Sequence, residues 1–306
     1  MSSQFSRVRD ALARVDGERV GREDDRHCVR IGLLGRGIGS SLTPIMHEAE
    51  GHRLGLNYRY DLVDFDRLEL LDEDLGAVLD GVREAGYRGV NVTYPFKQAV
   101  IAHLGTLAPE ARAIGAVNTV VVEPDGLSGH NTDCWGFAES VRQGLGPVET
   151  GRVVQVGAGG AGAAVAQALA ELGARQIDII DVDMAKAQQL AQQVAAANGI
   201  VARGVTPETL PEIIGLAAGV VNATPVGMEK LPGLPFDPQL LAPTQWVADI
   251  IYFPRETDLI RQARGRGCRV LAGGGMAVHQ AVRAFALFSG LDPDSAEMAR
   301  TFARYA

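Results

Sequence analysis

Three polar side chains in the first half of the chain are of types that could act on a substrate hydroxyl. Lys97 lies in the segment NVTYPFKQ, Asn118 in GAVNT and Asp133 in GHNTD. A lysine amine and a carboxylate that meet at a substrate hydroxyl can exchange a proton with it while a cofactor accepts hydride. The same types are also typical of a surface lysine and of an aspartate that caps a helix. The spacing of these residues is therefore compatible with proton exchange at a substrate hydroxyl but does not establish it.

A glycine-rich turn in the middle of the chain has the spacing of a dinucleotide-binding loop. The apolar run Val153–Val156 leads into Gly157, Gly159 and Gly162 in the pattern G-x-G-x-x-G, and small residues typical of a helix follow. These glycines would allow the tight turn, the approach of a pyrophosphate and close packing of the helix. A second apolar run ends at Asp181, about 20 positions later, where a carboxylate binds ribose hydroxyls. The predicted cofactor-binding residues are Gly157, Ala158, Gly159, Gly160, Ala161, Gly162 and Asp181.

Asp181 also favours one of the two nicotinamide cofactors. A carboxylate at the end of the second strand accepts hydrogen bonds from the ribose hydroxyls and repels a 2′-phosphate. Val182 and Asp183 follow it, so this stretch contains no arginine that could hold a phosphate. We therefore predict NAD rather than NADP.

Two series of alternating strands and helices must position these residues. The first runs through CVRIGLLG, a helix near Pro44–Leu54, NYRYDLVD, a helix near Leu75–Ala85 and RGVNVTY. The second begins at Arg152 with RVVQVG and continues through QIDIID, GVVNAT and WVADII. This alternation predicts βαβ units and mostly parallel sheets. We expect Lys97 at the start of a helix and a further helix opening at GHNTD.

The length of 306 residues predicts two domains in an α/β fold. Residues 27–132 and 276–306 are predicted to form an N-terminal α/β substrate domain, because the two C-terminal helices have no strand after them and must dock on an existing sheet. Residues 133–275 are predicted to form a Rossmann-type NAD-binding domain. The charged residues 1–26 are interpreted as a tail or an oligomer-contact helix.

Composition excludes several other classes of protein. The formal charge of −8 and the absence of a basic block make a nucleic-acid partner unexpected. Cys28, Cys134 and Cys268 form no C-x-x-C pair, so we expect neither a disulfide framework nor a metal site. No apolar run reaches about 18 residues and the N-terminus is charged, so we expect no membrane span and a cytoplasmic location.

Eight segments, in their order along the chain, resemble the shikimate dehydrogenase family and within it the NAD-dependent quinate/shikimate dehydrogenases. They are SSLTPIMHEAEG, NVTYPFKQ, GAVNT, GHNTD, VGAGGAG, VNATPVGM, DIIYFPRET and GMAVHQAV. The resemblance extends from about Val29 to the end of the chain. It implies that Lys97 and Asp133 are the catalytic pair and that the substrate is bound by Ser41, Thr43, Thr93, Asn118, Tyr252 and Gln280. On the cofactor side it adds Asn222, Ala223, Thr224 and Gly273.

The resemblance implies reversible oxidation of quinate or shikimate at the C3 hydroxyl, giving 3-dehydroquinate or 3-dehydroshikimate. Biosynthetic members usually have a serine at the position of Thr43 and a phosphate clamp at the position of Asp181 to Asp183, so both differences favour the NAD-dependent type. The alternatives are an aminoshikimate-type dehydrogenase of a secondary pathway, a biosynthetic shikimate dehydrogenase and a non-catalytic nucleotide-sensing relative. The expected partners are small cyclic hydroxy acids, and a homodimer is left open.

Overall fold

The structure is a computed structural model that describes residues 2–17 and 28–306. These residues form two compact units. The first contains the described residues up to Thr132 together with Ala281–Tyr305, and the second contains Asp133–Gln280. The chain therefore passes between the units at the start of one helix and inside another. The predicted domain limits were residues 132/133 and 275/276.

The elements are numbered in chain order. The strands are β1 (Val29–Gly35), β2 (Tyr58–Asp64), β3 (Gly89–Val92), β4 (Thr106–Leu107), β5 (Thr119–Glu123), β6 (Gly126–His130), β7 (Arg152–Val156), β8 (Gln176–Ile180), β9 (Val201–Val205), β10 (Gly219–Asn222), β11 (Trp246–Asp249) and β12 (Arg269–Leu271). The α-helices are α1 (Ser2–Gly17), α2 (Thr43–Arg53), α3 (Leu75–Glu84), α4 (Pro109–Ile114), α5 (Thr132–Gly144), α6 (Gly160–Glu171), α7 (Met184–Asn198), α8 (Leu210–Ile214), α9 (Asp258–Gly265), α10 (Gly274–Ser289) and α11 (Ser295–Tyr305).

The first unit is built on a mixed sheet with the strand order β2-β1-β3-β5-β6-β4. β1 is parallel to β2 and β3, whereas β5 is antiparallel to β3 and to β6. Both faces of the sheet are covered: Leu34 of β1 packs in the core that contains α1 and α3, and its neighbour Leu33 packs with Phe285 of α10 on the other face. Successive residues of a strand point to opposite faces, so the apolar run of β1 fits this sandwich.

Residues 1–26 were interpreted from the sequence as a tail or an oligomer-contact helix, and the structure describes Ser2–Gly17 of this stretch as the helix α1. This helix buries Val8, Ala11 and Val15 in the core shared with α3. These three apolar residues recur at helical spacing and form one face. The Arg7 guanidinium donates two hydrogen bonds, of 2.6 and 2.9 Å, to the fully buried carboxylate of Asp74. The apolar face of α1 is therefore used within its own unit.

The second unit is built on a sheet with the strand order β12-β11-β10-β7-β8-β9, in which each neighbouring pair is parallel. Along the chain, pairing proceeds from β7 to β9 on one side and then restarts at β10 on the other. The order reverses between β7 and β10, and open α/β sheets bind ligands outside the carboxyl ends of the strands at such a switch point. This topology confirms the predicted α/β fold class with a Rossmann-type half. In the part of the chain that the structure describes, no helix is long and apolar enough to cross a bilayer.

Candidate active site

The predicted substrate residues of the first unit gather at one edge of its sheet. β1 and β3 are parallel neighbours, so Ser41 and Thr93 follow strands that end at the same edge. β5 runs antiparallel to β3 and starts at this edge, directly after Asn118. β6 pairs antiparallel with β5 and returns the chain to the same edge, two residues before Thr132. The topology alone therefore brings these segments together.

Ser41 and Thr43 place two hydroxyl groups at the start of α2. The Ser41 hydroxyl donates to Thr43 Oγ1 at 3.2 Å, and Ser41 Oγ accepts the Thr43 backbone N–H at 3.3 Å. Both residues are half-buried. Hydroxyl donors beside the positive end of an 11-residue helix suit a carboxylate.

Lys97 lies in a turn between β3 and a short 3₁₀ helix, Ala99–His103, and not at the start of an α-helix as the sequence predicted. The Phe96 N–H donates to the Thr93 carbonyl at 2.9 Å, so the chain turns directly after β3 and the 3₁₀ helix begins only at Ala99. The turn is anchored on both sides of the lysine. Phe96 is buried against Phe65, with ring centroids 4.4 Å apart, and the Lys97 carbonyl accepts the Val117 N–H at 2.8 Å.

Thr93 packs tightly at the end of β3. A Cβ atom added to Gly35 of β1 would lie 2.4 Å from Thr93 Cγ2. The Thr93 backbone N–H donates to the Leu34 carbonyl at 2.9 Å. Gly35 therefore makes the room that the threonine methyl group occupies.

Asn118 is the centre of a buried polar network. Its Oδ1 accepts the Thr132 backbone N–H at 2.8 Å and the Thr119 hydroxyl at 3.0 Å, and its Nδ2 donates to Thr132 Oγ1 at 2.9 Å. On the side of β3, Asn91 Nδ2 donates to Thr119 Oγ1 at 3.0 Å, and Asn91 Oδ1 accepts the Tyr60 hydroxyl at 2.9 Å. The network therefore runs from β2 to the first residue of α5.

Asp133 follows this network and opens the second unit. It is buried in the first turn of α5, where the helix dipole stabilises a carboxylate. The pKa of Tyr252 is raised by burial of its hydroxyl and, second, by the negative charge of Asp133, although 41% of the tyrosine surface is exposed. Two of the predicted residues, Asp133 and Tyr252, are therefore close in this unit.

Gln280 lies where α10 crosses α5. A Cβ atom on Gly136 of α5 would lie 2.7 Å from the Gln280 backbone nitrogen, so the two helices approach closely at this glycine. The Gln280 side chain donates to the Ala277 carbonyl at 3.0 Å. Gln280 of α10 thus contacts α5 at Gly136, about one helical turn after Asp133. Lys97 belongs to the first unit, and its meeting with Asp133 stays a prediction.

The glycine-rich turn follows β7 and leads into α6. Gly157 has a φ of +110°, and a Cβ atom there would lie 2.6 Å from the Ala223 carbonyl carbon. A Cβ atom on Gly162 would lie 2.4 Å from the Gly157 oxygen, whereas none of the surrounding atoms lies within 4 Å of one on Gly159. Gly160 and Ala161 form the first turn of α6, whose N–H groups have no partner within the helix. This cradle fits a pyrophosphate.

Asp181 ties the end of β8 to this turn. Its Oδ2 accepts the Ala158 N–H at 2.7 Å, and its Oδ1 accepts the Asp183 N–H at 2.9 Å. Each carboxylate oxygen has further lone pairs with which to accept ribose hydroxyls. Val182 between the two aspartates is 99% exposed.

The predicted cofactor residues after β10 form a turn that Asn222 holds. Its Oδ1 accepts the Thr224 N–H at 3.0 Å and the Thr224 hydroxyl at 2.7 Å. The Ala223 N–H donates to the Val156 carbonyl at 2.7 Å, which places this turn beside Gly157. Asn222 is completely buried and therefore acts through the backbone of the residues after it.

Gly273 is buried at the start of α10, on the other side of β11. A Cβ atom there would lie 2.3 Å from the Ile250 oxygen, and its N–H donates to the Ile251 carbonyl at 3.2 Å. The structure therefore places it against the segment that carries Tyr252. The atoms that surround Gly273 are thus backbone atoms of Ile250 and Ile251.

Sequence reasoning missed two buried polar side chains of the second unit. Gln155, inside β7, donates from Nε2 to the carbonyls of Gly157 and Gly162, at 2.8 Å each. Asp249, the last residue of β11, accepts hydrogen bonds from Asn222, Ile251 and Thr257. A polar residue inside the otherwise apolar run RVVQV was the available signal for Gln155. Within the described residues, no group of three or more His, Cys, Asp or Glu side chains could hold a metal ion.

A parallel sheet with a switch point, a glycine-rich cradle and an acidic second strand end define a dinucleotide-binding α/β protein of the dehydrogenase type. The shikimate dehydrogenase substrate binding domain matches residues 33–120, and the ThiF family matches residues 137–203. The chain belongs to the shikimate dehydrogenase family, as its motifs indicated.

Individual relatives support this assignment over nearly the whole chain. A shikimate dehydrogenase (NADP(+)) of Streptomyces avermitilis is 50% identical, with 90% of this chain and 95% of the relative covered. A quinate/shikimate dehydrogenase (NAD(+)) of Corynebacterium efficiens is 46% identical, with 90% and 97% covered. The structure of quinate dehydrogenase from Corynebacterium glutamicum in complex with NAD has a TM-score of 0.87 at 43% identity, with 90% and 99% covered.

Proposed function

We propose that this chain is an NAD-dependent dehydrogenase that reversibly oxidises quinate and shikimate at the C3 hydroxyl. The products are 3-dehydroquinate and 3-dehydroshikimate. The observation that carries the proposal is the carboxylate of Asp181, which is hydrogen-bonded to the glycine-rich turn at Ala158. A ribose hydroxyl can donate to it, whereas a 2′-phosphate would meet its negative charge and that of Asp183.

The relatives support the family's chemistry but divide over the cofactor. One at 50% identity is a shikimate dehydrogenase (NADP(+)), and one at 46% is a quinate/shikimate dehydrogenase (NAD(+)). The difference in identity is too small to choose between them. The residues after β8 favour NAD, because Asp181, Val182 and Asp183 supply no cation to a phosphate.

The substrate half suits a cyclic hydroxy acid. The hydroxyls of Ser41 and Thr43 at the start of α2 are proposed to bind its carboxylate. Thr93, Asn118, Tyr252 and Gln280 are proposed to bind the ring hydroxyls, as the family resemblance implies. Neutral donors and acceptors of this kind can hold several hydroxyl groups in one orientation.

The proposed reaction uses Lys97 and Asp133 at the substrate hydroxyl. The Lys97 amine accepts the proton of the C3 hydroxyl as the C3–H bond breaks and a carbonyl forms at C3. Asp133 is proposed to orient the reacting hydroxyl beside the Lys97 amine. When bound, NAD supplies the hydride acceptor. In the reverse direction the Lys97 ammonium returns the proton to the C3 oxygen.

The second candidate is an NADP-dependent shikimate dehydrogenase, which the Streptomyces relative favours. A matrix of initial rates separates the two candidates: quinate, shikimate and aminoshikimate, each with NAD and with NADP. We expect quinate and shikimate to be oxidised with NAD at a much higher kcat/KM than with NADP. A preference for NADP with shikimate alone would favour the second candidate, and a preference for aminoshikimate would indicate the secondary-pathway enzyme.

A double variant tests the cofactor assignment directly. Asp181→Ala combined with Val182→Arg removes the ribose acceptor and supplies a partner for a phosphate, so the ratio of kcat/KM values should shift toward NADP. Val182→Arg alone is the matched control, since it adds the cation and leaves the carboxylate in place. An unchanged ratio in the double variant would contradict the role given to Asp181.

A further inference from the structure

Asp249 connects three segments at the carboxyl end of β11. Its Oδ1 accepts the Asn222 amide at 3.1 Å and the Ile251 backbone N–H at 3.0 Å. Its Oδ2 accepts the Thr257 hydroxyl at 2.7 Å. The residue is 2% exposed. One carboxylate therefore holds the turn after β10, the segment after β11 and the residue that precedes α9.

Burying the Asp249 carboxylate this deeply costs hydration free energy. Burial raises the pKa of Asp249, and the hydrogen bonds from Ile251, Thr257 and Asn222 oppose that shift. An apolar residue at this position would leave the buried Asn222, Ile251 and Thr257 donors without their acceptor. The carboxylate therefore specifies where these three segments lie relative to one another.

The two oxygens of Asp249 serve different parts of the molecule. Oδ1 holds Asn222, whose own Oδ1 fixes Thr224, and it holds Ile251, the residue before Tyr252. Oδ2 holds Thr257, and Thr257 Oγ1 caps α9 by accepting the Ile260 N–H at 3.3 Å. The Oδ1 side bears on the candidate site, whereas the Oδ2 side bears on a helix cap.

We propose that Asp249 is a positioning residue that fixes the 222–224 turn relative to Tyr252. The inference rests on the proposed function, in which that turn lies on the cofactor and Tyr252 lies on the substrate. Asp249 acts through Asn222 and Ile251 and does not itself contact a reactant. Its loss should therefore impair the alignment of the reactants, because small misplacements of bound groups lower turnover strongly.

Three variants of the full chain separate positioning from folding. Asp249→Ala removes all three hydrogen bonds. Asp249→Asn keeps one oxygen for Asn222 and Ile251 and turns its NH₂ group toward Thr257, whose hydroxyl can accept. Thr257→Val removes the Oδ2 partner and the helix cap but leaves the Oδ1 contacts, so it is the matched control for lost stability.

The measurements are kcat, the KM values for quinate and NAD, and Tm, with the kinetics done well below each Tm. We expect Asp249→Ala to lower kcat about 10- to 100-fold and to raise both KM values. Asp249→Asn should stay within about 3-fold of the wild type. Thr257→Val should lower Tm with unchanged kinetic constants. If Asp249→Ala does not fold, Asp249→Ser, which is too short to reach both Oδ1 partners, should show the same kinetic loss.

Two results would overturn the inference alone, in an enzyme whose wild type oxidises quinate or shikimate with NAD. One is a folded Asp249→Ala or Asp249→Ser variant with wild-type kcat and KM values. The other is a loss of kcat in Thr257→Val as large as that in Asp249→Ala. A wild type that is inactive on both substrates would overturn the proposed function, and this inference with it.

Discussion

The candidate residues of the first unit, called the first half below, and those of the second unit, called the second half, are held in place in different ways. In the first unit, side chains hold one another: Asn118, Thr119 and Thr132 exchange hydrogen bonds below the sheet edge. In the second unit, the glycine-rich turn is formed by closely packed backbone. Side chains are excluded from it, since a Cβ atom on Gly157 or Gly162 would collide with backbone atoms. Substitutions in the first half should therefore act by removing hydrogen bonds, and substitutions in the second half should act by steric conflict.

The largest expected effect belongs to Lys97 in the first half. Lys97→Ala removes the proposed proton acceptor, and a positioned acid or base contributes about 10² to 10⁴-fold to rate. We expect kcat to fall by that factor while the NAD dissociation constant, measured by fluorescence titration, stays nearly unchanged. Lys230→Ala, at an exposed lysine, is the control. Unchanged turnover in Lys97→Ala would refute the assignment.

Alanine substitutions at two glycines of the second half should differ in their effect on stability. Gly157→Ala forces a side chain into a positive φ and against the Ala223 backbone, so we expect a loss of about 1 to 3 kcal/mol in the free energy of unfolding. Gly159→Ala meets no protein atom within 4 Å and should change stability by less than about 0.5 kcal/mol.

Gly159→Ala should nevertheless raise the KM for NAD, because its methyl group projects where we propose the pyrophosphate to bind. Urea unfolding and NAD titration of both variants provide the test. Equal losses of stability in the two variants would contradict the steric argument.

Substitutions in the polar network of the first half should lower kcat less strongly the farther they lie from Asp133. Asn118→Ala leaves the buried Thr132 N–H without its acceptor, at a cost of about 1 to 3 kcal/mol, and should lower kcat. Tyr60→Phe removes one hydrogen bond at the far end, worth about 0.5 to 1.5 kcal/mol, and should change kcat little. Equal losses of kcat would show that the network does not act in this graded way.

The smallest effect concerns the charge of Asp133 in the second half. Burial and, second, this charge raise the pKa of Tyr252, so its phenol stays neutral above the usual pH of about 10. Asp133→Asn removes one of the two causes, and the pKa should fall part of the way. Tyrosinate absorbance, with Tyr252→Phe as the subtraction blank, measures it. An unmoved titration would mean that the two groups do not interact.

The sequence predicts best what depends on local backbone. The glycine-rich turn and Asp181 were identified by spacing, because glycine conformations and strand ends leave a direct pattern. The predicted start of a helix at Lys97 was wrong, because the chain first turns at residues 94–98 and the 3₁₀ helix begins only at Ala99. The strand β6, Gly126–His130, was not predicted, because its short run LSGH has no apolar alternation and the strand is defined by its pairing with β5 and β4.

Residues that act through tertiary contacts could not be found from the sequence. Asp249 matters because Asn222, 27 positions away, donates to it, and no local pattern encodes that pairing. The packing of α1 on α3 similarly depends on Gly81, where a Cβ atom would lie 2.6 Å from Leu12 Cδ1. The meeting of Lys97 with Asp133 remains a prediction of the family resemblance.

The packing of α1 has a practical consequence for anyone who shortens this protein. A version trimmed to begin at β1 would leave the Asp74 carboxylate without the two Arg7 donors. It would also open Val78 and Val82, which are otherwise buried, to water. Such a truncate should bind hydrophobic dyes and aggregate on warming, even though every proposed reactant-binding residue would still be present.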